Sequence, residues 1–480
     1  MMDTEIGWTK NSAKSFIHVA VVLFFMFGFK HVCPPFSTVT PVGVAVLGVF
    51  FGVVWGWSTW CATWASILGI IALGFTGFQT VTQALQFGFS NNVVLTLLFI
   101  FPFMYTLEHG GIIKIITCSM VNMKFAQGKP WLISFMLMLS AVVIGAVVNV
   151  FVAIFFVWSV FYNMCETYHI EKGRYTTYMI FGITFAANMG CMILPFLPFV
   201  AMPLGAYQSV SGVELNSGAY TAFAVIMNIV YLVLYLVLGK YVLRIDLSET
   251  KLGGIEGVEK VTGYQKFVMV LLVVLLAILF WPSVMPSAWP VTGLFRTLGT
   301  TATPAVLIVV LAILNFREGI AIQEMFTKGI NWGVVFLVMS VMTILNPLGN
   351  PSTGIPGLIT AIMDPLLSGK NTMMFLVIVT LLPAFFTNFS SNTVMAVVFV
   401  PIAYTFAVKA GLNGGTLTAI LCMVTTCSLM TPAGSATAAI LHGNKDWISS
   451  REAIGYGAVS MVLVWASTML VGYPLGGMLF

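Results

Sequence analysis

Trp131 to Phe151 reads WLISFMLMLSAVVIGAVVNVF, and Met374 to Val394 reads MFLVIVTLLPAFFTNFSSNTV. Laid one over the other they place Asn149 on Asn392. Each is a long apolar run interrupted by polar or small residues, at Asn149 in the first and from Asn388 to Thr393 in the second. Further along, FGITFAANMGCMILP, ending at Pro195, falls over the segment ending at Pro432. The pairs are separated by 243 and 237 positions, so the chain repeats itself with one shorter loop in the second copy. Lipid tolerates a broken helix only where protein or water satisfies the freed backbone groups. The stretches Trp131 to Met164 and Thr372 to Ala410 therefore read as helical hairpins that enter and leave on one side. Arms of about 16 residues are at the short end of what spans a bilayer.

The rest of the chain supplies the solvent. Apolar residues make up 59% of the sequence, charged residues 7%, and the mean hydropathy is +1.01, whereas soluble domains carry about 25% charged residues. Apolar runs recur from Phe16 to Tyr473, which excludes a soluble enzyme and leaves no room for a separate catalytic domain. The N-terminal run at 17–29 lacks a small-residue cleavage pattern and is expected to stay as a first span. Seven scattered cysteines have no metal-ligand spacing and read as packing thiols. The pI of 8.7 and net charge of +5 could suggest a nucleic-acid partner. The basic residues are spread over many short loops, however, and fit membrane orientation better.

Hydropathy predicts spans near 15–29, 39–59, 64–77, 92–107, 176–205, 219–243, 267–281, 303–314, 331–346, 416–441 and 453–473. With the N-terminus inside, sixteen of the twenty basic residues fall on the cytoplasmic side, as the positive-inside rule requires, and the C-terminus faces out. The expected fold is an all-α integral membrane protein of about eleven transmembrane helices plus two re-entrant hairpins in two inverted repeats. Residues 1–38 hold the first span, 39–243 the first repeat (hairpin 131–164, broken helix 176–205), 244–266 a cytoplasmic linker, and 267–480 the second repeat (hairpin 372–410, broken helix 416–441). Inverted repeats with interrupted helices point to a secondary carrier.

Four interruptions pair across the copies: Asn149; Asn188, Met189, Gly190 with Pro195 and Pro198; Asn388 to Thr393; and Thr431 to Ser435 with Thr437. A half-helix N-terminus offers free N–H groups and partial positive charge to an anion, while unwound carbonyls and hydroxyls can hold a cation. Together they predict a mid-membrane site for an organic anion and a sodium ion. Taken singly, such residues equally well glue or kink packed helices; the fourfold pattern is what favours function.

The arrangement resembles the divalent anion:sodium symporter family of the ion-transporter superfamily, from about residue 39 to the end. Its sharpest motif is Ser391, Asn392, Thr393, which looks like that family's Ser-Asn-Thr at the tip of the second hairpin. The resemblance implies that substrate carboxylates are bound at Asn149, Asn188, Ser391, Asn392, Thr393, Ser435 and Thr437. It implies sodium at Thr387, Ser390, Asn392, Thr431 and Ala433. It also implies a transport domain moving like an elevator within a homodimer in a bacterial cytoplasmic membrane, with sodium as coupling ion and no cofactor. The first copy departs from the pattern: Val148, Asn149, Val150 replace Ser-Asn-Thr, and Leu194 to Pro198 replace a more polar loop. A first sodium site at Asn149 and Gly190 is accordingly expected to be weak or absent. The substrate should have one carboxylate at the polar second tip and a less polar end toward Val148, Val150 and Phe196.

Other polar residues are explained without transport chemistry. Glu108, His109 and Lys114 open an amphipathic stretch to Phe125, matched by Ile355 to Leu367 with Asp364, and both read as interfacial arms leading into the hairpins. His442 reads as an ordinary surface residue near the cytoplasmic interface, although a pH sensor would need such a histidine. Trp55, Trp57, Trp60 and Trp64 resemble an aromatic belt. A cation:proton antiporter would need acidic residues in the core spans, where none occurs. A channel fits the composition but not the paired hairpins. No hydrolase constellation and no phosphate-binding GxxxxGK[ST] loop is present. Anion exchange or proton coupling remains the alternative to sodium symport.

Overall fold

The computed structural model describes residues 12–59, 62–247, 252–254, 261–286, 288–358, 361, 372–389 and 392–480, and every regular element among them is helical. Helix α1 (Ser12–Leu23) continues through a π-helical turn, Phe24–Gly28, to Val32. It is followed by α2 (Pro41–Thr59), α3 (Ala62–Leu73), α4 (Val81–Ser90), α5 (Asn92–His109) and α6 (Ile112–Val121). Then come α7 (Pro130–Val147), α8 (Val150–Thr167), α9 (Arg174–Gly190), α10 (Pro198–Ser211) and α11 (Ser217–Val237), the last extended by a π turn, Leu238–Val242. The second half holds α12 (Gly263–Val284), α13 (Pro290–Arg317, kinked at Gly299), α14 (Ile322–Gly329) and α15 (Trp332–Gly349). It ends with α16 (Thr372–Phe386), α17 (Asn392–Ala410), α18 (Gly414–Thr426), α19 (Ala436–Gly443) and α20 (Ser450–Ser467), which runs on through Thr468–Gly472 into Tyr473–Leu479.

Lipid explains this architecture. Backbone groups cannot be left unpaired in hydrocarbon, so the chain is helical wherever it is apolar. Among the described residues seven helices are long and apolar enough to cross a membrane, or eight if the bent pair Pro290–Gly299 and Thr301–Phe316 is one span. Over Gly263–Pro282 of α12 the mean hydropathy is 2.2, yet only 22% of that window is buried. Val273 is 64% exposed, an arrangement stable only against lipid. Helix starts carry the residues that satisfy orphan N–H groups. Asn91 caps α5, Asn331 caps α15, Asn216 caps α11 and Ser449 caps α20.

Helix boundaries fall inside each of the four stretches that carry the interruptions. Helices α7 and α8 form the first hairpin and α16 and α17 the second; α9 with α10, and α18 with α19, are the interrupted spans. At 18 residues each, α7 and α8 reach about 27 Å, slightly longer than the arms expected. The second arm of each hairpin meets the far end of the other copy's broken helix. Tyr162 of α8 stacks on Trp447 beyond α19 at 4.4 Å and accepts a hydrogen bond from Asn444 Nδ2 at 2.7 Å. Tyr404 of α17 meets Tyr207 of α10 edge-on at 5.5 Å.

Several expectations change on packing. Within the linker, residues 252–254 are held in place: Leu252 is buried, its carbonyl accepts from Gly128 N at 3.1 Å, and Tyr168 Oη donates to Gly254 O at 2.9 Å. These residues lie against the base of the first hairpin. Helix α6 is amphipathic as an arm should be, burying Ile112, Ile113, Thr117, Cys118 and Val121. Its counterpart is described only in part, and Asp364 lies outside the described residues. Trp57 is half-buried and donates through Nε1 to Ser66 Oγ at 2.9 Å, while Trp60 lies outside the described residues. His442 is not a surface residue. It is only 6% exposed, with Nε2 unpartnered, because α19 packs between α9 and α20.

Candidate functional site

In the first copy, hairpin and broken helix meet through small residues. Ser134 Oγ lies 2.9 Å from Tyr175 Oη, so α7 and α9 run side by side. A Cβ added at Gly145 would lie 2.6 Å from Ala187 O, and one at Gly190 would lie 2.3 Å from Val142 O. Only glycine permits that approach. The tip at Val148 and Asn149 therefore sits beside the break at 191–197. The contact is apolar: Val148, Val150, Leu194 and Phe196 are all buried. Asn149 is exposed at the tip, and its Oδ1 accepts the Phe151 N–H at 2.8 Å, capping α8. That bond fixes the amide orientation and turns Nδ2 outward as a donor.

The second copy makes the same junction with hydrogen bonds. Thr387 Oγ1 donates to Thr425 O at 2.6 Å. Asn388 is fully buried; its Oδ1 accepts from Met430 N at 2.9 Å, its Nδ2 donates to Ala384 O at 2.9 Å, and its own carbonyl accepts from the Thr431 hydroxyl. Gly434 must be glycine for the tip to fit, since a Cβ there would lie 2.5 Å from Ser428 O and 3.1 Å from Asn388 Cα. Asn388 and Gly434 are structural members of the site that motif matching misses. Their signal was present as Asn beside Thr387 in the broken tip and Gly beside Ala433 in the facing loop.

The two breaks touch each other at Asn188. Its Nδ2 donates to Thr426 O at 2.9 Å and its Oδ1 accepts from Thr437 Oγ1 at 2.9 Å. Ser435 caps α19 by accepting from Ala438 N at 3.1 Å, lies 2.9 Å from Thr437 Oγ1 and 3.3 Å from Ser428 O. The structure thus gathers Gly190, Asn188, Thr387, Thr431, Ser435 and Thr437 around crossing breaks, with Ala433 exposed in the loop between. Asn392 is the half-buried first residue of α17. Ser390, Ser391 and the Thr393 side chain lie outside the described residues. A small apolar cavity between α2, α15 and α17, lined by Phe50, Trp57, Ile344, Leu345, Leu348 and Val397, offers no group to orient an anion.

Hydroxyl protons decide what this site can hold. A carbonyl oxygen can only accept, so Thr387, Thr431 and Thr437 all spend their protons inward, on Thr425 O, Asn388 O and Asn188 Oδ1. Ser435 has one proton for two acceptors within reach, Ser428 O and Thr437 Oγ1. What these four oxygens have left is lone pairs, which suit a cation and repel a bare carboxylate. Donors lie elsewhere: the outward amide of Asn149 and those first-turn N–H groups of α8 and α19 that the caps Asn149 and Ser435 leave unbonded. Helix α10 contributes little, because Pro198 has no N–H and the N–H groups of Val200 and Ala201 are bonded to Leu197 O.

The sequence model of the citrate transporter family matches residues 50–411. No curated protein matches the sequence. Among solved structures, the Alcanivorax borkumensis YdaH transporter, 11% identical, superposes with a TM-score of 0.56 over 98% of this chain and 98% of its own. Neisseria gonorrhoeae MtrF, reported to illuminate a class of antimetabolite efflux pumps, is 14% identical with a TM-score of 0.51, over 94% of this chain and 93% of its own. At such identities the likeness is one of fold.

Proposed function

Because the chain belongs to the citrate transporter family, we propose that this multi-pass membrane carrier, which is not an enzyme, moves citrate or a related small carboxylate in symport with sodium. The observation that carries the reading is the split of polarity across the crossing breaks. Thr387, Thr431, Ser435 and Thr437 present lone pairs on one side, while the donor amide of Asn149 stands at the apolar first tip. A carboxylate cannot settle against lone pairs alone, so a cation on the second-copy side must accompany it. Sodium ligated by Thr387, Ser390, Asn392 and carbonyls near Thr431 and Ala433 fills that role. Asn149, with Ser391, Asn392 and Thr393, then receives the carboxylate. The first tip offers Asn149 alone among apolar neighbours, which supports one dominant cation site rather than two.

The hairpins and broken helices, bonded into one body, would carry the load by sliding against α1–α5 and α12–α15 in an elevator-type cycle, in a homodimer. The basic residues favour a cytoplasmic N-terminus in a bacterial inner membrane. Uptake into proteoliposomes of labelled citrate and a panel of mono- and dicarboxylates, with and without a sodium gradient, tests the reading. Sodium-driven uptake with a Hill coefficient near one is expected; uptake indifferent to sodium would transfer the carrier to exchange or proton coupling.

A further inference from the structure

We infer that Asn188 is a positioning residue that sets cation and substrate affinity without contacting either. The inference deepens the proposed reading of the site and rests on it. Helix α18 ends at Thr426 and α19 begins at Ala436, and the loop between them carries Thr431, Ala433 and Ser435. Asn188 comes from the other broken helix and bridges that gap, with one amide atom on the carbonyl end of α18 and the other on the first turn of α19. Its position is itself held. Cys191 Sγ donates to Asn188 O at 3.0 Å, and Gly190 is pressed against Val142 of the first hairpin. The side chain is 3% exposed, so substrate meets it only through what it orients.

Two consequences follow from the chemistry of an amide. Because Oδ1 accepts the Thr437 proton, Thr437 turns its lone pairs away from Asn188, and the Ser435 hydroxyl lies 2.9 Å from it. Because Nδ2 donates to Thr426 O, that carbonyl is withdrawn from the cation and the end of α18 is fixed at a set distance from α19. A residue able only to accept, or able to do neither, would lose one or both effects. Asparagine has both functions in one planar group.

The test is Asn188→Leu and Asn188→Asp in proteoliposomes, reading half-saturating sodium and substrate KM against the amount of folded carrier. Asn188→Leu should raise substrate KM about tenfold or more, with half-saturating sodium rising in parallel. Asn188→Asp is the decisive variant, because a protonated carboxyl can donate to Thr426 O and accept from Thr437 as the amide does, whereas a carboxylate can only accept. Its KM should therefore approach that of the unmodified carrier at low pH and rise with pH, relative to the unmodified carrier at each pH. A structural role would lower the yield of folded carrier and leave that profile flat. An unchanged KM in Asn188→Leu, or parallel pH profiles for Asn188→Asp and the unmodified carrier, overturns the inference. If the unmodified carrier is indifferent to sodium, the coupling reading fails, while the KM values and the pH profile still judge Asn188.

Discussion

Gly111 and Gly354 occupy matching positions of the two copies and share one left-handed conformation, with φ of 70° and 69°. Each turn is clamped by the capping segment that opens the other copy's first helix. Thr38 Oγ1 donates to Gly354 O at 2.8 Å, and Thr40, whose hydroxyl accepts from Gly43 N at the start of α2, donates through its N–H to Thr353 O at 3.0 Å. On the other side Thr262 caps α12 with Gln265, and Gln265 Nε2 donates to Gly110 O at 3.0 Å. The turns that lead toward the two hairpins are thus tied to the opposite copy by the same device.

The two glycines differ in what surrounds them, and this sets the first prediction. A Cβ at Gly354 would lie 1.8 Å from Thr38 O, a backbone atom, whereas one at Gly111 would meet only the tip of the Gln265 side chain at 3.3 Å. Gly111→Ala should cost about 1 kcal/mol, the strain of a left-handed alanine. Gly354→Ala should cost several times that. Thermal unfolding of the purified carrier in detergent compares them, and equal losses would contradict the clamp.

Topology is checked with single cysteines. Gly173 and Gly212 both have open space around a built Cβ, and Leu412 is half-buried at a turn. In a background lacking the native cysteines, Gly212→Cys and Leu412→Cys should react with an impermeant thiol reagent from outside, and Gly173→Cys should not. Gly254 is a poor probe, because a Cβ there would lie 2.3 Å from Asn122 Oδ1. The reverse labelling pattern would invert the orientation.

The capping bond of Asn149 allows its two roles to be separated. Asn149→Ser keeps an acceptor for the Phe151 N–H and loses the outward amide, so the fold should survive while KM rises roughly tenfold, the loss of one charge-assisted bond. Asn149→Ala should lose both, adding about 1 kcal/mol of destabilisation. Wild-type KM in a folded Asn149→Ser carrier would remove Asn149 from the substrate site.

Thr387→Val deletes the hydroxyl that bonds Thr425 O and offers lone pairs to the cation. Half-saturating sodium should rise about tenfold, while Val148→Ala or Val150→Ala at the apolar tip should leave it within about twofold of the unmodified value. Steep, cooperative sodium activation would show that the first tip holds a cation after all.

Much of this was legible before folding, because hydropathy and helix breaking act locally. The lipid-spanning class follows from composition, and the register of the copies from Asn149 over Asn392. The four interruptions show themselves through Pro, Gly and Asn in otherwise apolar runs; α7, α9 and α16 end within two residues of theirs, whereas α18 stops at Thr426, five residues short of Thr431. That Thr387 and Thr437 stand at a polar junction could also be read from their neighbours.

Only tertiary structure decided which way each hydrogen bond points. Asn188 meets Thr426 and Thr437 across 238 and 249 positions, and no local pattern says that its amide will take their polar groups. The same holds for Asn388 locking the second tip, for Leu252 seating residues 252–254 on the first hairpin, and for the burial of His442, whose place near the interface had suggested a surface residue. A helix boundary depends on the residues within a turn of it. The direction of a hydroxyl proton depends on whichever acceptor the folded chain brings within 3 Å, and that acceptor can come from anywhere in the sequence.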